Sequence, residues 1–127
     1  MIYGIGTDIV RVARMQKNLE RFGDKFAARI LTDEELAKFR GYSKKANYLA
    51  KRFAAKEAAA KALGLGFQNG LQLKQISINH DKLGKPIFEF SGFARQYMMD
   101  KKITSVHLSL SDEDDNAVAF VVMETNQ

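Results

Sequence analysis

The stretch RFAAKEAAAKALG, residues 52–64, combines charged side chains with a high alanine content. Phe53, Glu57 and Lys61 lie four residues apart, so a helix would place them on one face. The alanines allow another element to approach closely, which would leave Glu57 partly desolvated and in need of a cation. The simpler interpretation is an exposed Glu57–Lys61 ion pair, which would contribute about 0.3–0.5 kcal/mol.

Asp8 is a second carboxylate that needs an explanation, because it stands near the apolar residues Ile5 and Ile9. An ionised side chain there requires a cation, a backbone cap or contact with water, and a solvated aspartate at a strand end is the simpler interpretation. Mg²⁺ takes one or two carboxylates and leaves its other positions to water and phosphate oxygens. Asp8, Glu57 and Lys61 therefore form a candidate metal–phosphate site, in which the lysine supplies a point charge.

Other motifs with a known mechanism fail on their spacing. Gly4 and Gly6 begin a dinucleotide-binding pattern, but Ile9 occupies the position of its third glycine. His80 and His107 have no neighbours at metal-ligand spacing. We therefore expect neither dinucleotide binding of that type nor a histidine-ligated metal.

The composition limits the class of protein. The chain has 127 residues, 46% of them hydrophobic, which is enough for one domain over residues 1–127 with a sizeable core. It has no cysteine, no apolar run of membrane-spanning length and no basic start of a signal peptide in MIYGIGTDIV, so we expect a cytoplasmic protein. The net charge of +5 indicates an acidic partner.

The same charge leaves another class of function open, a small basic nucleic-acid-binding domain without catalysis. Its phosphate contacts would come from the basic residues Arg11, Arg14, Lys17, Arg21, Lys44, Lys45, Lys51 and Arg52. The sequence contains no motif of RNA- or DNA-binding domains that supports this alternative. A structural protein without catalysis is a third interpretation.

Hydrophobic periodicity predicts the elements that must position these residues. They are a strand over 2–12, a helix from 13 interrupted at 23–24, a helix from 33, a long helix over 43–63, strands over 73–79 and 87–90, a helix over 91–101, and strands over 105–111 and 117–124. Thr32 and Glu35 form a predicted capping box, and Ser43 and Ser91 are predicted N-caps. The order predicts an α+β fold, with a largely antiparallel sheet packed with a long central helix.

The first helix is predicted to have two distinct faces. Met15, Leu19 and Phe22 form an apolar stripe that we expect to face the core. Arg14 and Arg21 lie on another face, together with Lys17, and are expected to face solvent.

Residues 52–64 also resemble the signature of the 4'-phosphopantetheinyl transferase superfamily, which is a bulky aromatic, two small residues, Lys-Glu, three small residues, Lys, two further residues and Gly. It is complete here, as Phe53, Lys56, Glu57, Lys61 and Gly64. The second motif of the superfamily, a glycine one residue before an aspartate on an apolar strand, is matched by GTD at 6–8. The resemblance covers nearly the whole chain, and GKP at 84–86 and HLSLS at 107–111 are similar to the short bacterial members.

The resemblance implies the 4'-phosphopantetheinyl transferase fold and a Mg²⁺-dependent enzyme. Members transfer the phosphopantetheine arm of coenzyme A to a serine of an apo acyl carrier protein and release adenosine 3',5'-bisphosphate. By this resemblance Asp8 and Glu57 hold Mg²⁺, Lys61 contacts the phosphates, and all three are catalytic. The base that takes the serine proton is left open between Glu57, a water molecule and another group.

The resemblance also implies binding surfaces. The residues expected to bind coenzyme A are Lys44, Arg52, Lys61, Gly84, Lys85, Pro86 and His107, of which Lys44, Arg52, Lys85 and His107 are candidates for its adenine and 3'-phosphate end. A cross-strand hydrogen bond is the alternative for His107, and a solvated helix face is the alternative for Lys44 and Arg52. Members receive the acidic carrier on the first helix, where Arg14 and Arg21 are the candidate contacts. Short members form homotrimers with active sites between subunits, so we expect a homotrimer, and we expect neither nucleic acid nor a membrane as a partner.

Overall fold

The computed structural model describes residues 1–68 and 70–126, so the last residue of the predicted domain, 127, lies outside the described residues. The elements are β1 (Ile2–Arg11), α1 (Val12–Phe22), α2 (Asp24–Ile30), α3 (Asp33–Arg40), α4 (Lys45–Leu63), β2 (Ile76–His80), β3 (Pro86–Phe90), α5 (Gly92–Asp100), β4 (Ile103–Asp112) and β5 (Asn116–Thr125). This is the α+β class that the sequence predicts. Within the described ranges, no helix is both long and apolar enough to cross a bilayer.

The strands form two antiparallel sheets. In the larger sheet β5 lies between β1 and β4, and in the smaller one β2 pairs with β3 as a hairpin. Ile2 of β1 pairs with Glu124 of β5, so the first and the last of the described strands are neighbours in one sheet.

The larger sheet carries apolar side chains on both faces. Val121 and Met123 of β5 point to the inner face and are fully buried there. Ile5, Ile9 and Phe120 point to the outer face and are 61%, 64% and 45% exposed. The outer face of a single chain is therefore an exposed apolar surface, which is unusual for a monomer.

Helix α4 packs directly on the inner face of β1. A Cβ atom added to Gly4 would lie 2.0 Å from the carbonyl oxygen of Ala62, and one added to Gly6 would lie 1.9 Å from that of Ala58. Only glycine fits at these two positions, because the backbones of strand and helix are in contact. The alanine content of α4 therefore reflects close packing, as the sequence predicts.

The predicted element bounds are close to those observed, and the differences have local causes. Residues 73–75, predicted as the start of a strand, form a 3₁₀ turn, Leu73–Gln75, which is closed by hydrogen bonds between Gln72 and Gln75. Ser43 is not the N-cap of α4, because Lys44 occupies that position. Ser91 is the N-cap of α5, although its side chain makes no capping hydrogen bond.

Helix α1 has the two predicted faces, with one correction. Met15 is 1% exposed and Leu19 is half-buried, so the apolar stripe faces the core over most of its length. Phe22 was expected in this stripe but is 49% exposed, because it is the last residue of α1. The guanidinium of Arg21 lies 5.0 Å from the centre of its ring.

Candidate active site

Asp8 and Lys61 form an ion pair between β1 and α4. Nζ of Lys61 donates to Oδ1 of Asp8 at 3.1 Å and to the carbonyl oxygen of Thr7 at 2.9 Å. The side chain of Asp8 is 17% exposed, whereas that of Lys61 is 55% exposed. The ion-pair partner of Lys61 is therefore Asp8 and not Glu57, which corrects the simpler interpretation of this helix. The exposed ammonium has room for further oxygen ligands, such as those of a phosphate.

Glu57 lies one turn before Lys61 on α4 and is half-buried. Burial raises the pKa of its carboxyl above the usual value, and the nearby charge of Asp8 raises it further. The charges of Lys61 and Arg14 lower it in part. Two carboxylates that repel each other in a half-buried place are stabilised by a shared cation.

The packing of β1 on α4 fixes the positions of the two carboxylates. Gly6, two residues before Asp8 on the same face of β1, packs against Ala58, which follows Glu57 on α4. Because the strand and helix backbones touch there, no flexible side chain separates the elements that carry the carboxylates. The site is thus held by backbone packing, which favours a rigid geometry.

The donor set fits a hard divalent cation. Within residues 1–68 and 70–126, no group of three or more His, Cys, Asp or Glu side chains is placed to hold a metal ion. Asp8 and Glu57 would supply two carboxylates, and water or phosphate oxygens would complete the coordination. Mg²⁺ binds in this way, since it keeps several waters and takes one or two protein carboxylates.

Helix α1 reaches this site through Arg14. Its guanidinium carbon lies 5.9 Å from the centre of the Phe53 ring, and its charge lowers the pKa of Glu57. Arg14, Lys17 and Arg21 are exposed, as the sequence predicts. The basic face of α1 therefore begins beside the paired carboxylates.

A cavity of about 620 Å³ lies between α3, α4 and the β2–β3 hairpin. Its lining is rich in aromatic and cationic side chains, which include Lys38, Tyr42, Tyr48, Lys51, Arg52 and His80, and it also contains the carboxylate of Asp112 on β4. The pKa of His80 is lowered, first by burial and then by the charges of Arg52, Lys38 and Lys51. A cationic cavity with aromatic walls suits a ligand that joins a phosphate to a planar ring.

Arg52 is buried in the wall of this cavity, with 4% of its surface exposed. Its guanidinium carbon lies 4.0 Å from the centre of the Tyr48 ring. Its Nε lies 3.8 Å from Oε2 of Glu35 and, among the described residues, has no hydrogen-bond partner. The alternative of a solvated helix face is therefore wrong for Arg52.

Glu35 and Lys56 form a buried ion pair behind Arg52, at 1% and 0% exposure. Oε1 of Glu35 accepts from Nζ of Lys56 at 2.7 Å and from the backbone N–H of Thr32 at 2.9 Å, while Oε2 accepts from the backbone N–H of Ile78 at 2.9 Å. Nζ of Lys56 also donates to the carbonyl oxygen of Ile30 at 2.7 Å. Burial lowers the pKa of Lys56, although Glu35 opposes this shift.

The buried pair is the main feature that sequence analysis missed. The capping box of Thr32 and Glu35 is confirmed, but it accounts for only one of the hydrogen bonds of Glu35. Lys56 is part of the signature without an assigned role. The sequence did contain a signal for the buried pair. Lys56 stands among alanines that are all buried, and a lysine in such a place needs a buried partner.

The predicted coenzyme A-binding residues are not all in one place within the chain. Arg52, Gly84 and Pro86 line the cavity. Lys85 lies with Pro86 in a neighbouring groove, and Lys44 is exposed at the start of α4. Among the described residues that line the cavity, none belongs to the site of Asp8, Glu57 and Lys61.

His107 lies on the outer face of the larger sheet. Its Nε2 is 2.6 Å from Oε1 of Glu124 on β5, which is the cross-strand hydrogen bond considered as its alternative role. The side chain is 56% exposed and lies outside the cavity of its own chain.

Three comparisons with known proteins agree with one another. The family model of the 4'-phosphopantetheinyl transferase superfamily matches residues 4–121. A holo-[acyl-carrier-protein] synthase of Vibrio cholerae is 49% identical over 124 residues, which are 98% of each chain. The crystal structure of a holo-[acyl-carrier-protein] synthase from Neisseria meningitidis is 50% identical, with a TM-score of 0.93 over 98% of this chain and 100% of that one. A holo-(acyl-carrier-protein) synthase from Bacillus anthracis in complex with CoA (3',5'-ADP) is 39% identical, with a TM-score of 0.83 over 99% of each chain.

Proposed function

The chain belongs to the 4'-phosphopantetheinyl transferase superfamily, and we propose that its paired carboxylates, Asp8 and Glu57, hold the Mg²⁺ with which it works. It is an enzyme that transfers the 4'-phosphopantetheine group of coenzyme A to a serine of apo acyl carrier protein, the activity of the relatives that match over almost its full length. The observation that carries the proposal is the meeting of both motifs at one place, with Lys61 bonded to Asp8.

The proposed chemistry follows from the bonds that change. The serine oxygen of the carrier attacks the pyrophosphate phosphorus that bears the pantetheine arm, and the bond from this phosphorus to the bridging oxygen breaks. Adenosine 3',5'-bisphosphate leaves with that oxygen, and the serine proton passes to a base, for which Glu57, a water molecule and another group are the alternatives. Bound Mg²⁺ would supply positive charge to the phosphate oxygens on which negative charge develops.

The residues of this chain have distinct tasks in that step. Asp8 and Glu57 position the cation, because they are fixed on elements whose backbones touch. Lys61 provides a charge that can hold the transferring phosphate, since its ammonium is tied to β1 by Asp8 and Thr7 but remains largely exposed. Lys61 thereby stabilises charge that is greatest in the transition state.

We propose that the cavity beside Arg52 takes the adenine and 3'-phosphate end of coenzyme A. Arg52 would meet the phosphate, and the backbone at Gly84 and the ring of Pro86 would limit the space for the adenine. Lys44, Lys85 and His107 lie outside this cavity in the single chain. We assign them to a coenzyme A site completed by a neighbouring subunit.

The assembly that we propose is a homotrimer with active sites between subunits. The exposed apolar outer face of the larger sheet, with Ile5, Ile9 and Phe120, supports association of subunits through this face. His107 lies on the same face, so association would bring it to a subunit boundary. We also propose that the reaction takes place in the cytoplasm, as expected from the sequence.

The carrier protein docks on α1 in this proposal. Arg14 and Arg21 are exposed there, and Arg14 lies beside Glu57, so an acidic carrier bound to this face would bring its serine close to the metal site. Opposed charges would steer the encounter and fix the orientation of the carrier.

A transfer assay with a purified apo carrier tests the function. Incubation with coenzyme A and Mg²⁺ should add the mass of one phosphopantetheine group to the carrier and release adenosine 3',5'-bisphosphate. Omission of Mg²⁺, or replacement of the acceptor serine by alanine, should abolish the mass gain. An unmodified carrier in the complete reaction would contradict the proposal and would favour a binding protein without catalysis.

A further inference from the structure

The carboxylate of Glu35 has no task in the proposed reaction, although it is buried next to a residue of the coenzyme A cavity. Its hydrogen bonds to Lys56, Thr32 and Ile78 join α3, α4 and β2. These bonds explain why Glu35 is buried, but they do not involve Arg52. The remaining neighbour, Nε of Arg52 at 3.8 Å, is therefore the part of the cluster that still needs an explanation.

The cluster of Glu35, Lys56 and Arg52 has one positive charge in excess, which lies on Arg52. Glu35 and Lys56 lie in direct contact and compensate each other, so the guanidinium adds one positive charge to the wall of the cavity. A second cation this close to Lys56 would be repelled without the carboxylate between them. Glu35 therefore stabilises the side chain of Arg52 in a buried position that it would otherwise leave.

The orientation of the guanidinium is restricted in two directions. The ring of Tyr48 lies against its face, which limits tilting of the plane. Glu35 attracts its Nε edge, which limits rotation within the plane. A planar group restricted in both directions presents its remaining N–H groups in a fixed direction, which is what bidentate recognition of a phosphate requires.

We propose that Glu35 is a positioning residue for phosphate recognition: it orients Arg52 in the cavity so that the enzyme distinguishes coenzyme A from 3'-dephospho-coenzyme A. This inference rests on the proposed function, which places the 3'-phosphate of coenzyme A in the cavity. Glu35 itself touches no substrate and acts through Arg52.

Two other possible roles for Glu35 predict different results. If it only supports the fold, its removal lowers stability and leaves the preference for the 3'-phosphate unchanged. If it acts only as a nearby negative charge, its removal strengthens phosphate binding, because one repulsive charge is lost. Positioning alone forecasts weaker recognition of the 3'-phosphate together with unchanged binding of the rest of the ligand.

The experiment measures the dissociation constants of coenzyme A and 3'-dephospho-coenzyme A for the full chain with Mg²⁺, and takes their ratio as the selectivity. We expect Arg52→Met to reduce this ratio by about tenfold or more, the value of a hydrogen bond to a charged group. Glu35→Gln should reduce it by a similar factor. The double variant should reduce it no further than Arg52→Met alone, because Glu35 acts through Arg52.

A second pair of variants separates positioning from charge and from folding. Glu35→Gln combined with Lys56→Met removes both buried charges, so the net charge of the cluster is unchanged and no unpaired ion is left. We expect the same loss of selectivity from it, and it also serves if Glu35→Gln alone does not fold. Thr32→Ala is the matched control, because it removes the other half of the capping box and should lower the melting temperature without changing the ratio.

The outcomes are distinct. The role of Glu35 is overturned if the folded Glu35 variants keep or increase the selectivity. It is also overturned if their loss of selectivity adds to that of Arg52→Met. The proposed function stands in both cases. A wild-type enzyme that binds coenzyme A and 3'-dephospho-coenzyme A equally tightly overturns the placement of the 3'-phosphate and this inference with it. A wild-type chain that transfers from neither contradicts the proposed function itself.

Discussion

The carboxylates of Asp8 and Glu57 repel each other, and the direct hydrogen bond of Lys61 is made with only one of them. Asp8 has the ammonium at 3.1 Å, whereas the pKa of Glu57 is raised by burial and by the charge of Asp8. The arrangement is therefore unfavourable by itself, and a shared divalent cation would make it favourable. This difference separates a functional pair of carboxylates from a surface ion pair.

Replacement of either carboxylate by its amide should abolish most of the activity. Asp8→Asn and Glu57→Gln keep the side-chain volume but remove a charge that the cation requires, so we expect kcat/KM to fall by about 100-fold or more. Circular dichroism should show an intact fold. The rate should be measured as a function of Mg²⁺ concentration, and near-normal activity of either variant at ordinary Mg²⁺ would remove that residue from the metal site.

His80 should make the stability of the fold depend on pH. Burial and the charges of Arg52, Lys38 and Lys51 lower its pKa below 6.5, so the folded chain binds the proton less readily than the unfolded chain. The contribution of His80 to stability is therefore complete above pH 6.5 and is lost as the pH falls through the lowered pKa.

We expect denaturant unfolding of the wild type to show a free energy that decreases between pH 7 and pH 5. Because a glutamine does not titrate, His80→Gln should show a smaller decrease over the same range. Equal slopes for both proteins would mean that the cavity does not disfavour protonation of His80.

The sequence revealed the residues of the proposed metal site more fully than those of the cavity. Asp8, Glu57 and Lys61 have spacings and apolar surroundings that already require an explanation. The position of Arg52 depends on Glu35, which lies on another helix, and no local pattern connects the two residues. A contact of this kind arises only from tertiary packing, so sequence analysis left Arg52 with two interpretations.

The packing of β1 on α4 also lies beyond local sequence patterns. In the sequence the glycines of β1 are only the start of an incomplete dinucleotide-binding pattern, whereas in the fold they allow its backbone to touch that of the helix. The hydrophobic periodicity and the alanines of α4 were sufficient to predict the elements themselves. What they could not specify was which alanine face meets which strand, because that depends on the shape of the partner.

Gly6→Ala tests this contact. The added methyl group would lie 1.9 Å from the carbonyl oxygen of Ala58, so strand and helix must separate. We expect a loss of at least about 1–3 kcal/mol in the free energy of unfolding and a loss of activity, because Asp8 and Glu57 move apart.

Gly41→Ala is the matched control for this substitution. Its Cβ would meet its nearest neighbour, the carbonyl oxygen of Lys38, at 3.8 Å, and its φ of −90° suits any residue. We expect a change within about 0.5 kcal/mol. A Gly6→Ala protein as stable as the control and as active as the wild type would show that the strand can move without consequence.

Reversal of charge on α1 should separate docking from catalysis. Arg21 is exposed and lies about two turns beyond Arg14 on α1, so Arg21→Glu should raise the KM for carrier protein several-fold, flatten its salt dependence and leave kcat unchanged. Arg14→Glu should raise this KM and also lower kcat, because Arg14 lowers the pKa of Glu57. Coenzyme A binding should be unaffected by Arg21→Glu.

The control for this prediction has the same total charge. Arg95 is exposed on α5, so Arg95→Glu changes the net charge as much as Arg21→Glu does. If it raises the KM for carrier to the same extent, overall charge rather than α1 determines docking.

The exposed outer face of the larger sheet determines how the whole molecule can associate with others. Ile5, Ile9 and Phe120 leave an apolar surface in water, which favours association with an apolar partner. We expect sedimentation of the purified chain to give a mass of three times 14.3 kDa. Ile9→Glu should dissociate the trimer and abolish activity, because a charge would be buried in each interface.

Met99→Glu serves as the control, since Met99 is 61% exposed but lies on α5. It should leave mass and activity unchanged. A fully active monomer would contradict sites between subunits.

The pairing of β1 with β5 sets the moment in synthesis at which the enzyme can begin to work. Asp8 and Glu57 are both translated by the time α4 is complete, but β1 pairs with β5, which ends much later in the chain, at Thr125. A ribosome-bound chain that has just completed α4 therefore carries Asp8, Glu57 and Lys61 without the strand that holds β1 in the sheet. Ribosome-bound chains of increasing length should gain coenzyme A binding only after β5 has left the exit tunnel, because synthesis of the signature helix does not by itself fix Asp8 beside Glu57.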